Sequence, residues 1–244
     1  MIHNRLARAA LVLPVAALLL AGCGDPGDLR GAGPTSTAVG PTRLWPEVPP
    51  AASPAVDYGE ADTETVKGVT APGDDIHKVD PVDVMRAEIA AFPDLYTDDK
   101  ARYRETAQRI KECGKKGEPG RKCPVLRAYY RDLTGDGRDD MVLGVRMPEN
   151  QLGVRTYTFI DHKLIEVMAT TDATLSVEIA GRDVIIRQPS KLAGYEYRTV
   201  WSWDRRQKAM LAAKDEILRV GATTPPTGSA PTRTPSASPS ASGR

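Results

Sequence analysis

The chain has 244 residues, with 33 lysines and arginines against 32 aspartates and glutamates, 20 prolines and only three cysteines. The formal net charge of +1 excludes a protein that binds nucleic acid through a strongly basic overall composition. Eight prolines lie in residues 24–75 and five in residues 225–239, against five in residues 82–219. Because segments rich in Pro, Gly, Ser and Thr bury little apolar surface, we expect one folded block of about 140 residues between two unstructured segments.

The first 22 residues have the pattern of a secretory signal peptide. Two arginines precede an apolar run at residues 9–20, which is too short to span a membrane as a stable helix. The sequence Leu-Ala-Gly-Cys follows at residues 20–23 and resembles the lipobox of bacterial lipoproteins. The resemblance implies cleavage before Cys23 and a lipid on its sulfur, which would anchor the chain to the cell membrane, facing the extracytoplasmic side. The alternative is an ordinary signal peptide followed by an unrelated cysteine.

Two segments flank the expected domain, which we place at residues 76–220. Residues 23–75 are rich in proline and poor in large apolar side chains, and they predict a disordered tether carrying the lipid at its start. The apolar residues 44–46 within this tether are expected either to lie on the surface of the domain or to bind a partner. Residues 221–244 predict a disordered Pro/Ser/Thr tail, with or without O-linked glycans.

Two helices are expected at the start of the domain. Asp80 is a suitable N-cap and is followed by Pro81, and apolar residues at helical spacing continue to Phe92. A second helix is expected to begin at Thr97 and to end at Gly114.

After the helices, apolar residues recur at every second position, which is the period of a strand. This pattern predicts strands over residues 125–132, 140–147, 155–161, 163–170, 175–180, 184–188 and 195–204. Residues 208–219 are expected to form a last strand, with a closing helix as the alternative. The predicted fold class is α+β, with two N-terminal helices packed on an antiparallel β-meander of about six to eight strands.

An acidic loop at residues 132–140 is the clearest motif within the domain. Calcium takes about six to eight oxygen ligands, and alternate positions of this loop offer them: Asp132, Thr134, Asp136, the carbonyl of Arg138, and Asp140. With strands on both sides, the loop resembles the calcium loops of FG-GAP and VCBS repeat proteins, although Thr134 replaces their usual carboxylate or amide. The resemblance implies a structural calcium ion. The alternative is a hairpin loop in which Asp and Gly simply favour the turn.

Two cysteines remain once Cys23 is assigned to the lipid. Cys113 and Cys123 form an even pair outside the cytoplasm, and this predicts a disulfide. The pair lies within residues 100–131, which carry eleven basic and three acidic residues. This stretch predicts either a face for anionic partners or a solvated helix and loop beside the acidic loop.

Four aromatic residues alternate along one predicted strand: Tyr195, Tyr197, Trp201 and Trp203. They are expected to form either the buried side of the sheet or an exposed ligand face on which a glycan stacks. Neither histidine of the mature chain, His77 or His162, lies near a nucleophile motif, and the sequence has no phosphate-binding glycine loop. The sequence therefore predicts a non-enzymatic protein, with no nucleic-acid partner and with calcium as its one candidate cofactor. The enzymatic alternative is a hydrolase that uses two carboxylates, which would require two of them close together in a deep pocket.

The lipobox, the Pro/Thr-rich tether, the Leu-Thr-Gly-Asp-Gly loop and the following meander together resemble small lipoproteins of actinobacteria. These include lipoproteins encoded beside envelope-stress sigma-factor systems, where the lipoprotein modulates a sensor kinase. The resemblance implies a membrane-anchored regulatory or interaction module that binds an envelope protein or a wall polymer. The alternative function is a surface lipoprotein that binds a glycan or another small ligand.

Overall fold

The computed structural model describes residues 40–55, 63–114 and 123–220. The predicted signal peptide, Cys23 and the tail at residues 221–244 lie outside the described residues. Within the described ranges, no helix is both long enough and apolar enough to cross a membrane.

The described chain is mostly β-structure and forms two antiparallel sheets of five strands each. The strands are β1 (Thr42–Leu44), β2 (Glu64–Thr65), β3 (Tyr129–Arg131), β4 (Asp140–Arg146), β5 (Leu152–Ile160), β6 (Lys163–Asp172), β7 (Ser176–Ala180), β8 (Asp183–Pro189), β9 (Tyr195–Asp204) and β10 (Ala209–Arg219). Sheet A has the order β1-β7-β8-β9-β10, and sheet B has the order β2-β6-β5-β4-β3. The predicted meander is therefore divided between two sheets, and its last segment is a strand.

The structure corrects the predicted boundary between tether and domain. The described fold begins at Gly40, well before residue 76, because β1 pairs with β7 and β2 pairs with β6. Trp45 is only 2 % exposed. The prolines that suggested disorder flank β1 instead of interrupting it, and proline is tolerated at such positions.

The helical part of the fold agrees with the prediction in its first half only. Helix α1 (Pro81–Ala91) begins at the predicted N-cap, where the Asp80 carboxylate accepts a hydrogen bond from the backbone N–H of Val82 at 2.8 Å. Only two shorter helices follow, α2 (Pro93–Tyr96) and α3 (Arg104–Arg109), together with one-turn 3-10 segments. The predicted second long helix is wrong because the Thr97 hydroxyl donates to the carbonyl of Pro93 and so ends α2, instead of capping a new helix.

Sheet B forms the middle of three layers. On one of its faces, Met141, Leu143 and Val145 pack against Met85 of α1 in a group that we call the helix-side core. On the other face, Val142 packs against residues of sheet A in a second group, the interlayer core. Burial on both faces explains why β4 has no alternation of apolar and polar residues.

The interlayer core joins the two sheets through large side chains from both of them. Sheet A contributes Leu44, Ile186 and Trp201, and sheet B contributes Met168. Trp45, directly after β1, belongs to the same group. The first described segment is therefore an integral part of the core that holds the sheets together.

Candidate functional site

A buried cluster of charged side chains lies between α1 and sheet B. Arg155 of β5 is 5 % exposed, and its Nη2 lies 3.1 Å from Oε1 of Glu88. Its Nε lies 3.6 Å from Oε2 of Glu166. The hydroxyl of Tyr96 donates to the same oxygen of Glu88 at 2.6 Å. Because buried charges are costly unless they are paired, this arrangement is a candidate functional site.

The local structure explains how these side chains meet. Glu88 lies one turn after Val84 on the inward face of α1. The pairing of β5 with β6 shifts between Thr156 and Tyr157, so that Tyr157 lies opposite Glu166. Such a bulge changes the direction in which neighbouring side chains point. It brings a carboxylate and a phenol of sheet B to the same place as Glu88.

Hydrogen bonds to β6 fix the guanidinium of this cluster. Nη1 of Arg155 donates to the carbonyl of Thr170 at 2.7 Å and to the hydroxyl of Thr171 at 3.1 Å. Burial acts to lower the pKa of Arg155, but Glu88 and the other neighbouring acidic groups outweigh it and raise that pKa above its ordinary value. Arg155 therefore remains a cation with a fixed orientation.

The acidic side of the cluster is less completely neutralised. Burial raises the pKa of the Glu166 carboxyl to about 7, while the charge of Arg155 acts in the opposite direction. One guanidinium thus faces two carboxylates, and a proton on Glu166 is the simplest way to balance the second charge. The protonation of Glu166 is expected to change near neutral pH.

A narrow cleft reaches this cluster from the surface. It has an internal volume of about 20 Å³, with Glu88, Tyr157 and Glu166 among its lining residues. Two buried atoms of the cluster have no hydrogen-bond partner within the described structure, Oε2 of Glu88 and Nε of Arg155, and the buried hydroxyl of Tyr157 has only Glu166 beside it. Because buried polar atoms are nearly always satisfied, such a concentration indicates a site for a polar group.

Sequence reasoning did not find this cluster. Arg155 and Glu166 lie in the predicted strands at residues 155–161 and 163–170, but neither belongs to a motif that points to a site. One signal was present: Glu88 follows Val84 and Met85 at helical spacing, which places a carboxylate on the apolar face of α1.

The predicted calcium loop is a tight turn that is held by its own carboxylates. The two oxygens of Asp132 accept hydrogen bonds from the backbone N–H groups of Gly135 and Gly137. Oδ2 of Asp140 accepts hydrogen bonds from the N–H groups of Leu133 and Thr134, both at 2.8 Å. These bonds explain the loop conformation without a metal ion.

The fit of this loop to calcium is mixed. Within the described residues, no group of three or more His, Cys, Asp and Glu side chains is arranged to hold a metal ion. The guanidinium of Arg138 contacts the Asp136 carboxylate at 3.1 Å, and Arg182 lies 3.9 Å from Asp132. Against this, two buried oxygens of the loop, Oδ1 of Asp140 and Oγ1 of Thr134, have no hydrogen-bond partner in the described structure. Calcium binding therefore stays a prediction.

The predicted aromatic face is divided by the fold. Trp201 belongs to the interlayer core and is buried, so no ligand can stack on it. Tyr195 and Tyr197 are half-buried. Trp203 is half-buried and lines an open cleft of about 290 Å³ together with Asp136 of the acidic loop. The structure thus brings residues of two predicted sites together, Trp203 from the aromatic face and Thr134 and Asp136 from the acidic loop.

The disulfide prediction is confirmed. Cys113 and Cys123 are bonded, with their Cα atoms 4.7 Å apart. The bond ties the end of the helical segment to the chain that leads into β3. Residues 115–122 of the basic stretch lie outside the described residues.

Each of the two histidines in the described part of the chain contacts an aspartate. Nε2 of His77 lies 2.9 Å from Asp139, and Nδ1 of His162 lies 2.7 Å from Asp74. Both imidazoles are more than half exposed, so each pair is expected to contribute less than about 1 kcal/mol.

No family model matches the chain, and comparisons with curated proteins and with solved structures also find no match.

Proposed function

We propose that the chain is a non-enzymatic lipoprotein, anchored through Cys23 to the cell membrane and facing the extracytoplasmic side, where it binds another envelope protein and regulates it. The lipobox at residues 20–23 supports the anchor. The disulfide supports a compartment outside the cytoplasm, because disulfides persist in oxidising surroundings. Modulation of an envelope-stress sensor is the form of regulation that fits the resemblance stated above.

The observation that carries the interaction is the exposed edge of sheet A. In the described chain, β10 is the last strand of this sheet, and its C-terminal half is largely exposed. Ile217 is 63 % exposed and lies opposite the half-buried Tyr197. Val220, directly after β10, is 54 % exposed. An exposed strand edge with apolar side chains can bind an extended segment of another protein by strand addition.

A cross-linking experiment tests this proposal. The full lipidated chain, with a photo-reactive residue in place of Leu218, is expected to cross-link to one envelope protein. An Ile217→Lys substitution is expected to abolish that product because it places a charge in an apolar contact. Leu95→Lys is the matched control, since Leu95 is also exposed, at 41 %, but lies on α2. Equal cross-linking in both variants would contradict the proposed contact.

The anchor has its own test. Cys23→Ser removes the sulfur that would carry the lipid, so the variant is expected to appear in the soluble fraction while the wild type stays with the membranes. A variant that still fractionates with the membranes would show that Cys23 is not the anchor.

The cleft beside Trp203 favours glycan binding as a second candidate function. A half-buried indole next to the Asp136 carboxylate and Arg205 offers both a stacking surface and polar groups for sugar hydroxyls. Binding of wall glycan fragments should then quench tryptophan fluorescence in the wild type and fail in Trp203→Ala. Unchanged binding in Trp203→Ala would remove this candidate.

A further inference from the structure

When Glu166 is ionised, the cleft at α1 holds more negative than positive charge, with three carboxylates against Arg155 and Lys67. Arg155 is the cation that both Glu88 and Glu166 contact. A third carboxylate, Glu64, lies directly opposite Glu166 in the pairing of β2 with β6 and lines the same cleft. Like charges at directly opposite positions of a sheet destabilise it, so this arrangement favours a further cation between the strands and α1.

The polar atoms at the bottom of the cleft are suited to a hydrogen-bond donor. The side chain of Glu88 is about nine-tenths buried, and its Oε2 has no partner in the described structure. The phenol of Tyr157 is almost fully buried and interacts with the neighbouring Glu166 carboxyl, and its oxygen keeps a lone pair that can accept a hydrogen bond. A carboxylate oxygen only accepts hydrogen bonds, and a phenol oxygen also can accept one. Two acceptors from different elements thus line one small space.

The dimensions and walls of the cleft restrict the group that fits. Its internal volume of about 20 Å³ is enough for one group of the size of a water molecule or an ammonium. Ala91, Phe92 and Val66 form apolar walls beside the acidic bottom, and Lys67 lies at the exposed mouth. A cationic head on a short apolar chain matches both parts of this lining.

We propose that this cleft binds a primary ammonium group carried on an alkyl chain, with Glu88 and Glu166 as its counter-ions and Tyr157 as a hydrogen-bond acceptor. The ammonium donates up to three hydrogen bonds, whereas a quaternary ammonium donates none and is too wide for the cleft. The alkyl chain lies along Phe92. The site does not depend on the interaction proposed for β10.

Thermal unfolding of the full chain in detergent tests this proposal, because a ligand that binds only the folded state raises the Tm. The probes are n-butylammonium, Nα-acetyl-lysine amide, n-butanol and tetramethylammonium. We expect n-butylammonium to raise the Tm, and we expect n-butanol and tetramethylammonium to leave it unchanged. A rise with the lysine derivative as well would identify lysine side chains as accepted ligands, and a rise with n-butylammonium alone would identify free amines. Equal effects of n-butylammonium and n-butanol would overturn the proposal.

Variants locate the binding site. Tyr157→Phe and Glu88→Gln each remove one polar partner of the ammonium, and we expect affinity for n-butylammonium, measured by calorimetry, to fall about tenfold in each. Tyr130→Phe is the matched control, since Tyr130 lies on β3 of the same sheet and outside the cleft. Glu88→Gln also loses the ion pair with Arg155 and could fail to fold for that reason. In that case Tyr157→Phe alone still tests the proposal. Unchanged affinity in Tyr157→Phe would overturn the assignment.

Discussion

The indole N–H of Trp45 donates a hydrogen bond to the backbone carbonyl of Arg127 at 2.7 Å, across 82 residues of sequence. The ring also meets Tyr129 edge-on, with 5.8 Å between ring centroids. Trp45 has a φ of 43°, in the left-handed region that non-glycine residues seldom adopt. Burial and the hydrogen bond offset this strain. Trp45 therefore connects an edge of sheet A to an edge of sheet B.

Gly144 of β4 provides the space that Trp45 occupies. A Cβ atom at Gly144 would lie 2.8 Å from the indole ring, closer than a Cβ atom can approach. We expect Trp45→Ala to lower the free energy of unfolding by about 3–5 kcal/mol. Gly144→Ala should be destabilising in the wild type and less so in the Trp45→Ala background, because the conflict with the indole is then absent while the one with Cδ1 of Leu126, at 2.9 Å, remains. Urea denaturation of the four chains measures this coupling. Fully additive effects would contradict the contact.

The disulfide is expected to stabilise the fold by closing a short loop. Cys113 and Cys123 are 10 residues apart in sequence, and the loop-entropy relation gives about 3 kcal/mol for such a loop. Replacing both cysteines by alanine should lower the stability by an amount of this order and make it insensitive to reductant. Urea denaturation with and without reductant measures both effects. A wild type whose midpoint does not move on full reduction would contradict a stabilising role.

The stability should fall as the pH rises through neutrality, owing to Glu166. Burial raises the pKa of this carboxyl to about 7 in the folded state, above its ordinary value, so the folded chain binds the proton more tightly than the unfolded chain. The contribution of Glu166 to the free energy of unfolding is complete at pH values below the pKa that Glu166 has in the unfolded chain. It is lost as the pH rises through the pKa of Glu166 in the folded chain, a change of at most roughly 3 kcal/mol. Glu166→Gln should remove this part of the pH dependence, whereas Glu112→Gln, at an exposed position, should not. Urea midpoints measured from acidic pH to above neutrality test this expectation. Identical pH profiles for the wild type and Glu166→Gln would contradict the role of Glu166.

Calcium can bind to the acidic loop only if one ion pair of the loop is broken. An ion bound there has to draw Asp136 away from Arg138, whose guanidinium holds that carboxylate in the described structure. Millimolar calcium is expected to raise the Tm of the wild type, and Asp136→Ala should abolish the rise. Arg138→Ala should enlarge the rise, because it removes the competing cation and leaves the backbone carbonyl at position 138 in place. If calcium shifts the Tm of neither the wild type nor Arg138→Ala, the prediction fails.

The strands were predictable because their alternation is local. Residues 175–180 alternate between apolar and polar side chains, and they form β7, whereas β4 has no such alternation because both of its faces are buried. The division into two sheets is not a local property, since each strand would pair in a single meander equally well. What decides it is the packing of residues such as Trp201 between the layers.

The proline-rich composition of residues 23–75 predicted disorder where β1 and β2 lie. A proline-rich average conceals a strand of three residues, and the informative signal was a single residue, Trp45, whose large apolar surface is seldom left in solvent. The charged cluster was beyond prediction for another reason. Glu88 and Arg155 are 67 residues apart in sequence, and no spacing rule connects a helix to a strand across that distance.

Burial of sheet B on both faces has a consequence for how the molecule opens. The helix-side core and the interlayer core have the backbone of sheet B in common, so a rearrangement around Glu88 reaches sheet A only by displacing a strand of sheet B. Local opening of the helical layer can therefore occur while the two sheets stay closed. In hydrogen–deuterium exchange, the amides of β4 and β5 should be the last to exchange, and those of α2 and α3 should exchange much earlier.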